Sequence, residues 1–240
     1  MGRQACLCSQ LYAALAQAFC KPEAAAAEEG SLAQTLRGAA VAINAASLER
    51  KADEAVGSLE IFGDHADQAL LALEMAYNRL FVGPGRPQAP PYESFYRDRW
   101  GLLMGPPARD VERRYAEAGL AMAPDHRDLP DHVATELGFM AYLALQEAEA
   151  RDEERRAWQE RERSFLRDHL SVWLPRFCRR VKEAGQHPFY TALAELTETF
   201  VSLDVERLAD RQTGELHNDQ STNVGVSQAT ASDLRGQWDR

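Results

Sequence analysis

Apolar positions recur along almost the whole chain at helical spacing. Leu7, Leu11, Ala14, Leu15 and Ala18 share one face over residues 3–20, the period of an amphipathic helix. Pro22 interrupts that pattern, and a proline suits the first turn of a second helix. Residues 31–60 carry Leu32, Leu36, Val41, Ile43, Leu48, Val56 and Leu59 among many alanines, which predicts one or two helices. A clearer helix spans 66–82, where Leu70, Leu73, Tyr77, Leu80 and Phe81 form a stripe. Gly83-Pro84-Gly85 stops it, because glycine frees the last turn and proline cannot continue it.

Pro84, Pro87, Pro90 and Pro91 then predict an extended linker with fixed φ angles. It runs into Tyr92–Tyr96, which shows no periodicity. Gly105-Pro106-Pro107 breaks the chain again before a short helix over 108–119. Pro130 opens the next helix, with Asp128 near its N-cap and an apolar stripe of Val133, Leu137, Met140, Ala141 and Ala144. Charges dominate 147–168, where Glu147/Arg151 and Asp152/Arg156 read as i,i+4 pairs on a solvated helix. An apolar face returns with Phe165, Val172, Trp173 and Phe177, and His169 lies on the same side. Gly185 ends that helix. Pro188 precedes a last one bearing Phe189, Leu193, Leu196, Phe200 and Leu203.

No stretch alternates long enough to read as a strand. The pattern therefore predicts an all-α fold: one helical-bundle domain, residues 1–208, of seven to nine helices. A proline-rich hinge loop over 83–107 interrupts it. Residues 209–240 are rich in Gln, Asn, Ser and Thr, and a disordered tail is expected there because such a segment buries too little apolar surface.

Composition narrows the function. The 240 residues carry 37 acids against 27 Lys and Arg, a net charge of −10. That argues against nucleic acid as a partner, since affinity for it rests on bases meeting phosphates. Nothing resembles a spanning helix. Met1–Leu15 lacks the basic region and apolar core of a secretory signal, so a cytoplasmic location with reduced thiols is expected. Cys6, Cys8, Cys20 and Cys178 lack zinc-site spacing, and they read as inert thiols.

Catalytic signatures are missing too. The phosphate-binding GxxxxGK[ST], the dinucleotide GxGxxG and HExxH do not occur. Asp131-His132 with Glu136 one turn later could be a ligand or acid–base pair. A helix start explains the same residues more simply: Asp131 suits the positive end of the dipole, and His132 lies over Glu136. Tyr92–Tyr96 and Trp100 form an aromatic cluster beside the linker, either capping the core or offering a binding surface.

Three stretches resemble one family. Tyr77-Asn78-Arg79-Leu80-Phe81-Val82-Gly83-Pro84, with Pro91-Tyr92-Glu93-Ser94 downstream, resembles the Tyr-x-x-Leu-Phe-x-Gly-Pro region of the TorD/DmsD/NarJ family. Leu129-Pro130-Asp131-His132-Val133 followed by Glu136-Leu137 resembles that family's Pro-Asp-His motif. Phe165–Leu170 with Trp173 and Phe177 resembles its later helix. The resemblance runs from about residue 5 to 205. It implies an all-helical chaperone without catalytic activity, which binds the apo catalytic subunit of a DMSO-reductase-type molybdoenzyme. Some family members bind that enzyme's twin-arginine signal peptide and delay export until the cofactor is inserted.

A partner for such a peptide needs acids beside an apolar groove. The expected client-binding residues are therefore Asp131, His132, Glu136 and Asp128, with Tyr92, Glu93 and Tyr96 as a neighbouring patch. No metal and no cofactor of its own is expected. Two alternatives stay open: a helical adaptor without a role in cofactor insertion, and an enzyme using Asp131, His132 and Glu136 on a nucleotide. The linker at 83–91 suggests mainly monomer with a minor domain-swapped dimer.

Overall fold

The computed structural model describes residues 2–22, 31–43, 45–60, 66–124, 126 and 128–215. Helix α1 (Gly2–Ala18) buries Cys8, Leu11, Tyr12 and Leu15. It is followed by α2 (Ser31–Ile43) and α3 (Ala46–Glu60), so residues 31–60 hold two helices. The second helix expected from Pro22 falls mostly outside the described residues. Helix α4 (Ala66–Tyr77) runs on as one π-helical turn over Asn78–Val82. The remaining helices are α5 (Glu93–Arg97), α6 (Pro106–Glu117), α7 (Val133–Glu149), α8 (Asp152–Phe165), α9 (Ser171–Ala184) and α10 (Pro188–Glu215). A second π-helical turn, Leu166–Leu170, joins α8 to α9. Among the described residues there is no strand, only an isolated bridge between Tyr92 and His132. The fold is all-α, as the periodicity predicts.

Helix α7 is buried on nearly every side, from Val133 through Leu137, Phe139 and Met140 to Ala144, and α1 is its most extensive partner. A helix apolar all round must sit inside. Helix α10 packs on α3 and α9. Phe19, Phe81, Phe177 and Tyr190 pack edge to face where these layers meet. Gly185, at φ +54, ends α9 in the left-handed region that glycine adopts without a Cβ clash.

Three details differ from the sequence reading. The linker is tied down: Ala89 N–H donates to Leu80 O at 2.8 Å, and Arg180 Nε to Gln88 O at 2.9 Å. Glu147 does not pair with Arg151, because α7 ends at Glu149. Instead Glu147 and Glu162 accept from Arg207 at 3.3 and 3.0 Å, and Asp204 pairs with the same guanidinium. All three acids are buried, so this clasp joins α7, α8 and α10 in the interior. Finally, α10 continues to Glu215, seven residues beyond the expected end of the domain. Residues 216–240, most of the expected tail, lie outside the described residues.

Candidate functional site

The two motif segments, 91–94 and 130–136, are zipped together by their backbones. Val133 N–H donates to Pro91 O at 2.8 Å, and Glu93 N–H to Asp131 O at 3.0 Å. The Asp131 carboxylate then accepts Ser94 N–H at 2.7 Å. Tyr92 is the N-cap residue of α5 but contributes no side-chain cap. Asp131, 37 residues away in the chain, supplies the missing acceptor for one of the orphan N–H groups of that helix start. Helix α7 is capped by His132, whose Nδ1 accepts Ala134 N–H at 3.1 Å. The sequence reading placed Asp128 near that cap; the structure puts His132 there and begins the helix at Val133.

His132 is buried, and burial lowers its pKa to about 4. It is therefore neutral at pH 7. With Nδ1 accepting, the proton sits on Nε2.

Behind the zipper lies a knot of carboxyls. Glu93 accepts from Arg97 Nη1 at 2.6 Å and sits 2.8 Å from His169 Nδ1. The other ring nitrogen of His169 is 3.1 Å from Asp110. Glu136 Oε2 accepts from Trp173 Nε1 at 3.0 Å. Burial, with the neighbouring Glu93, pushes the Glu136 carboxyl well above the usual carboxylate range. Its other oxygen accepts no hydrogen bond. Burial raises Asp131 as well. Tyr96 stacks on Trp173 with centroids 5.5 Å apart, completing the wall.

The structure thus brings the expected residues together, but not all on a surface. Asp131, Glu136 and Glu93 have 0% exposure and Tyr96 has 3%. The expectation that both acids of the Asp131/Glu136 pair meet a peptide directly is corrected: they face inward and hold α5, α7 and α9 in register. Asp128 is exposed and Tyr92 half-buried. The Tyr92 hydroxyl, held above its ordinary range by burial and by Asp128, lies 3.2 Å from Asp128 Oδ1.

Beside this pair a partly open cavity of about 60 Å³ enters the N-terminal turns of α7. Met122, Ala134 and Gly138 give it an apolar floor, while His126, Asp128 and His132 line its polar side. Sequence reasoning missed Cys20, Met122 and Gly138, which three separate segments contribute; no local pattern marks them. Among the described residues no group of His, Cys, Asp and Glu is arranged to hold a metal. No described helix is long and apolar enough to cross a membrane.

Comparison with known proteins places this arrangement. Residues 14–179 match the nitrate reductase delta subunit family. The chain is 34% identical over 139 residues to the chaperone protein TorD of Photobacterium profundum, covering 58% of this chain and 64% of that protein. It is 30% identical over 161 residues to TorD of Vibrio parahaemolyticus, covering 66% and 74%. The chain belongs to this TorD/NarJ-type family. A crystal structure of a proposed redox enzyme maturation protein from Archaeoglobus fulgidus shares the fold, with a TM-score of 0.50, 17% identity and coverage of 80% and 93%. Its helical architecture agrees with the one described here. The chain spans 64% and 67% of the length of the TorD proteins of Photobacterium profundum and Aliivibrio fischeri.

Proposed function

We propose that this chain is a maturation chaperone for a DMSO-reductase-type molybdoenzyme, and that it engages the apo catalytic subunit, including its twin-arginine signal peptide, at the cavity over the α7 N-terminus. The observation that carries this reading is that the cavity opens on the family motif itself, between His132 and Asp128. An apolar side chain of the client fits the floor of Met122, Ala134 and Gly138. An arginine beside it meets the exposed Asp128 carboxylate, a charge-assisted contact. Glu93, Asp131 and Glu136 act one layer below, as positioning residues that hold the rim through backbone and Trp173 contacts.

The chain's relatives are named chaperones, and this function involves no catalytic step. The nucleotide-using alternative has little support in the geometry. Its proposed acids are buried, and ligand pockets for molecules of that size measure about 300–1,000 Å³. The adaptor alternative differs from a chaperone only in what it binds. Co-purification separates the two: a tagged chain brings down one large molybdoenzyme subunit in cells blocked in cofactor synthesis, and less of it once cofactor is restored. Equal recovery in both conditions favours the adaptor.

A further inference from the structure

Away from the motif cavity, the molecule carries a face of the opposite character. Trp100, Leu102, Leu103 and Met104 are 74, 61, 45 and 48% exposed, four large apolar side chains within five residues. Such a run on a surface loop is unusual and marks an interaction site. The Asp98 side chain braces the loop. Asp98 Oδ1 accepts the N–H groups of Trp100 at 2.7 Å and Leu102 at 3.1 Å. Gly101, at φ +69, lies so close to the Phe95 ring that a Cβ would sit 2.9 Å from it. Met104 adopts φ +58, a conformation that costs a side-chain-bearing residue energy.

Arginines surround this loop. The same Phe95 ring carries Arg86 at 5.5 Å and Arg180 at 5.4 Å from its centroid. Arg99 lies over Trp100 at 5.1 Å, and Arg176 bonds Tyr96 O. Arg86, Arg99, Arg176 and Arg180 thus gather at this loop in a chain whose net charge is −10.

We propose that this face docks on an anionic lipid surface. Trp100, Leu102, Leu103 and Met104 enter the headgroup boundary, and Arg86, Arg99, Arg176 and Arg180 meet lipid phosphates. Charge complementarity selects the partner: a basic twin-arginine peptide is repelled here, whereas phosphates are attracted. Trp with Leu and Met at the tip is the composition that partitions into a bilayer interface. Neither the motif cavity nor the groove between Lys51, Lys182 and Glu198 is lined by these residues. This inference is independent of the client reading, because none of these residues lines the motif cavity.

The test is flotation of the full chain with vesicles of phosphatidylcholine alone or with about 30% phosphatidylglycerol, an anionic content that creates a surface potential. Binding is expected to the anionic vesicles only, and to fall as salt shortens the Debye length. Replacing Arg86→Gln and Arg99→Gln is expected to weaken it about fivefold per arginine. Leu102→Ser with Leu103→Ser is expected to abolish it. Both variants should keep the wild-type melting curve and bind leader peptide like wild type. Absence of wild-type flotation, or flotation unchanged in the Leu102/Leu103 variant, overturns the proposal. So does a photo-crosslinker at position 104 that captures an acidic protein while no flotation is seen, which would assign the face to a protein partner.

Discussion

The molecule buries two knots of carboxyls, and they are answered in different ways. In one, Glu147, Glu162 and Asp204 converge on a single guanidinium, Arg207, while Tyr12 donates to Asp204 and Gln159 to Glu147. In the other, Glu93, Asp131 and Glu136 are met by one backbone N–H group, an indole, an imidazole and one half-exposed arginine. The first is a clasp between three long helices. The second borders a cavity and the surface. Burial and a neighbouring acid push one carboxyl in each knot, Glu162 and Glu136, well above the usual carboxylate range; what differs is the answer, one shared guanidinium in the first and backbone and ring N–H groups in the second. The second answer is suited to a rim that must meet a client.

The contrast can be broken most severely at Arg207. Arg207→Ala should cost about 3–5 kcal/mol, because three buried acids lose their partner. Urea denaturation checks it; a loss below about 1 kcal/mol would mean the clasp is not structural. Asp131→Ala should cost less, about 1–3 kcal/mol, by leaving the Ser94 N–H at the start of α5 unsatisfied. Asp131→Asn should recover most of that, since its amide oxygen still accepts from Ser94.

A third variant sharpens the electrostatic side. His132 is depressed to about 4 in the fold, against about 6.5 unfolded. A depressed folded pKa gives stability that is present above 6.5 and lost as pH falls toward 4. The slope there approaches 1.4 kcal/mol per pH unit for one proton, to order of magnitude. His132→Asn keeps a cap oxygen, so stability at pH 7 should change little. Melting between pH 7 and 4 should become flatter than wild type; an unchanged slope would show that His132 does not carry the effect. The smallest expected stability effect is at Asp128, exposed and outside the knot. Asp128→Ala should stay within about 0.5 kcal/mol of wild type in the same assay.

The helix faces were readable because burial imposes period on local sequence. Leu70 to Phe81 and Phe189 to Leu203 gave their helices directly, and Gly185 its end. Helix α5 was not readable. Five residues make too short a period, and its start is stabilised by Asp131 from 37 positions away. The acid clasp was hidden for a similar reason. Glu147 and Arg151 have the spacing of a helical pair, but the helix ends between them and Glu147 turns to Arg207. At the motif, sequence reasoning grouped the right residues and misjudged their depth. An acid near a helix start looks the same in sequence whether it caps a neighbouring helix inside or waits for a peptide outside; only the backbone pairing of 91–94 with 130–133 decides.

The central claim, that the client meets the cavity rim while the buried acids only position it, is tested most directly by titration calorimetry. The probe is a leader peptide of a molybdoenzyme subunit that co-purifies with the chain, measured against two variants. Asp128→Lys should weaken binding about tenfold, as expected for reversing a rim charge that faces arginine, with an unchanged melting temperature. Asp131→Asn should bind like wild type. Wild-type affinity in Asp128→Lys, with affinity lost in a fully folded Asp131→Asn, would contradict the account.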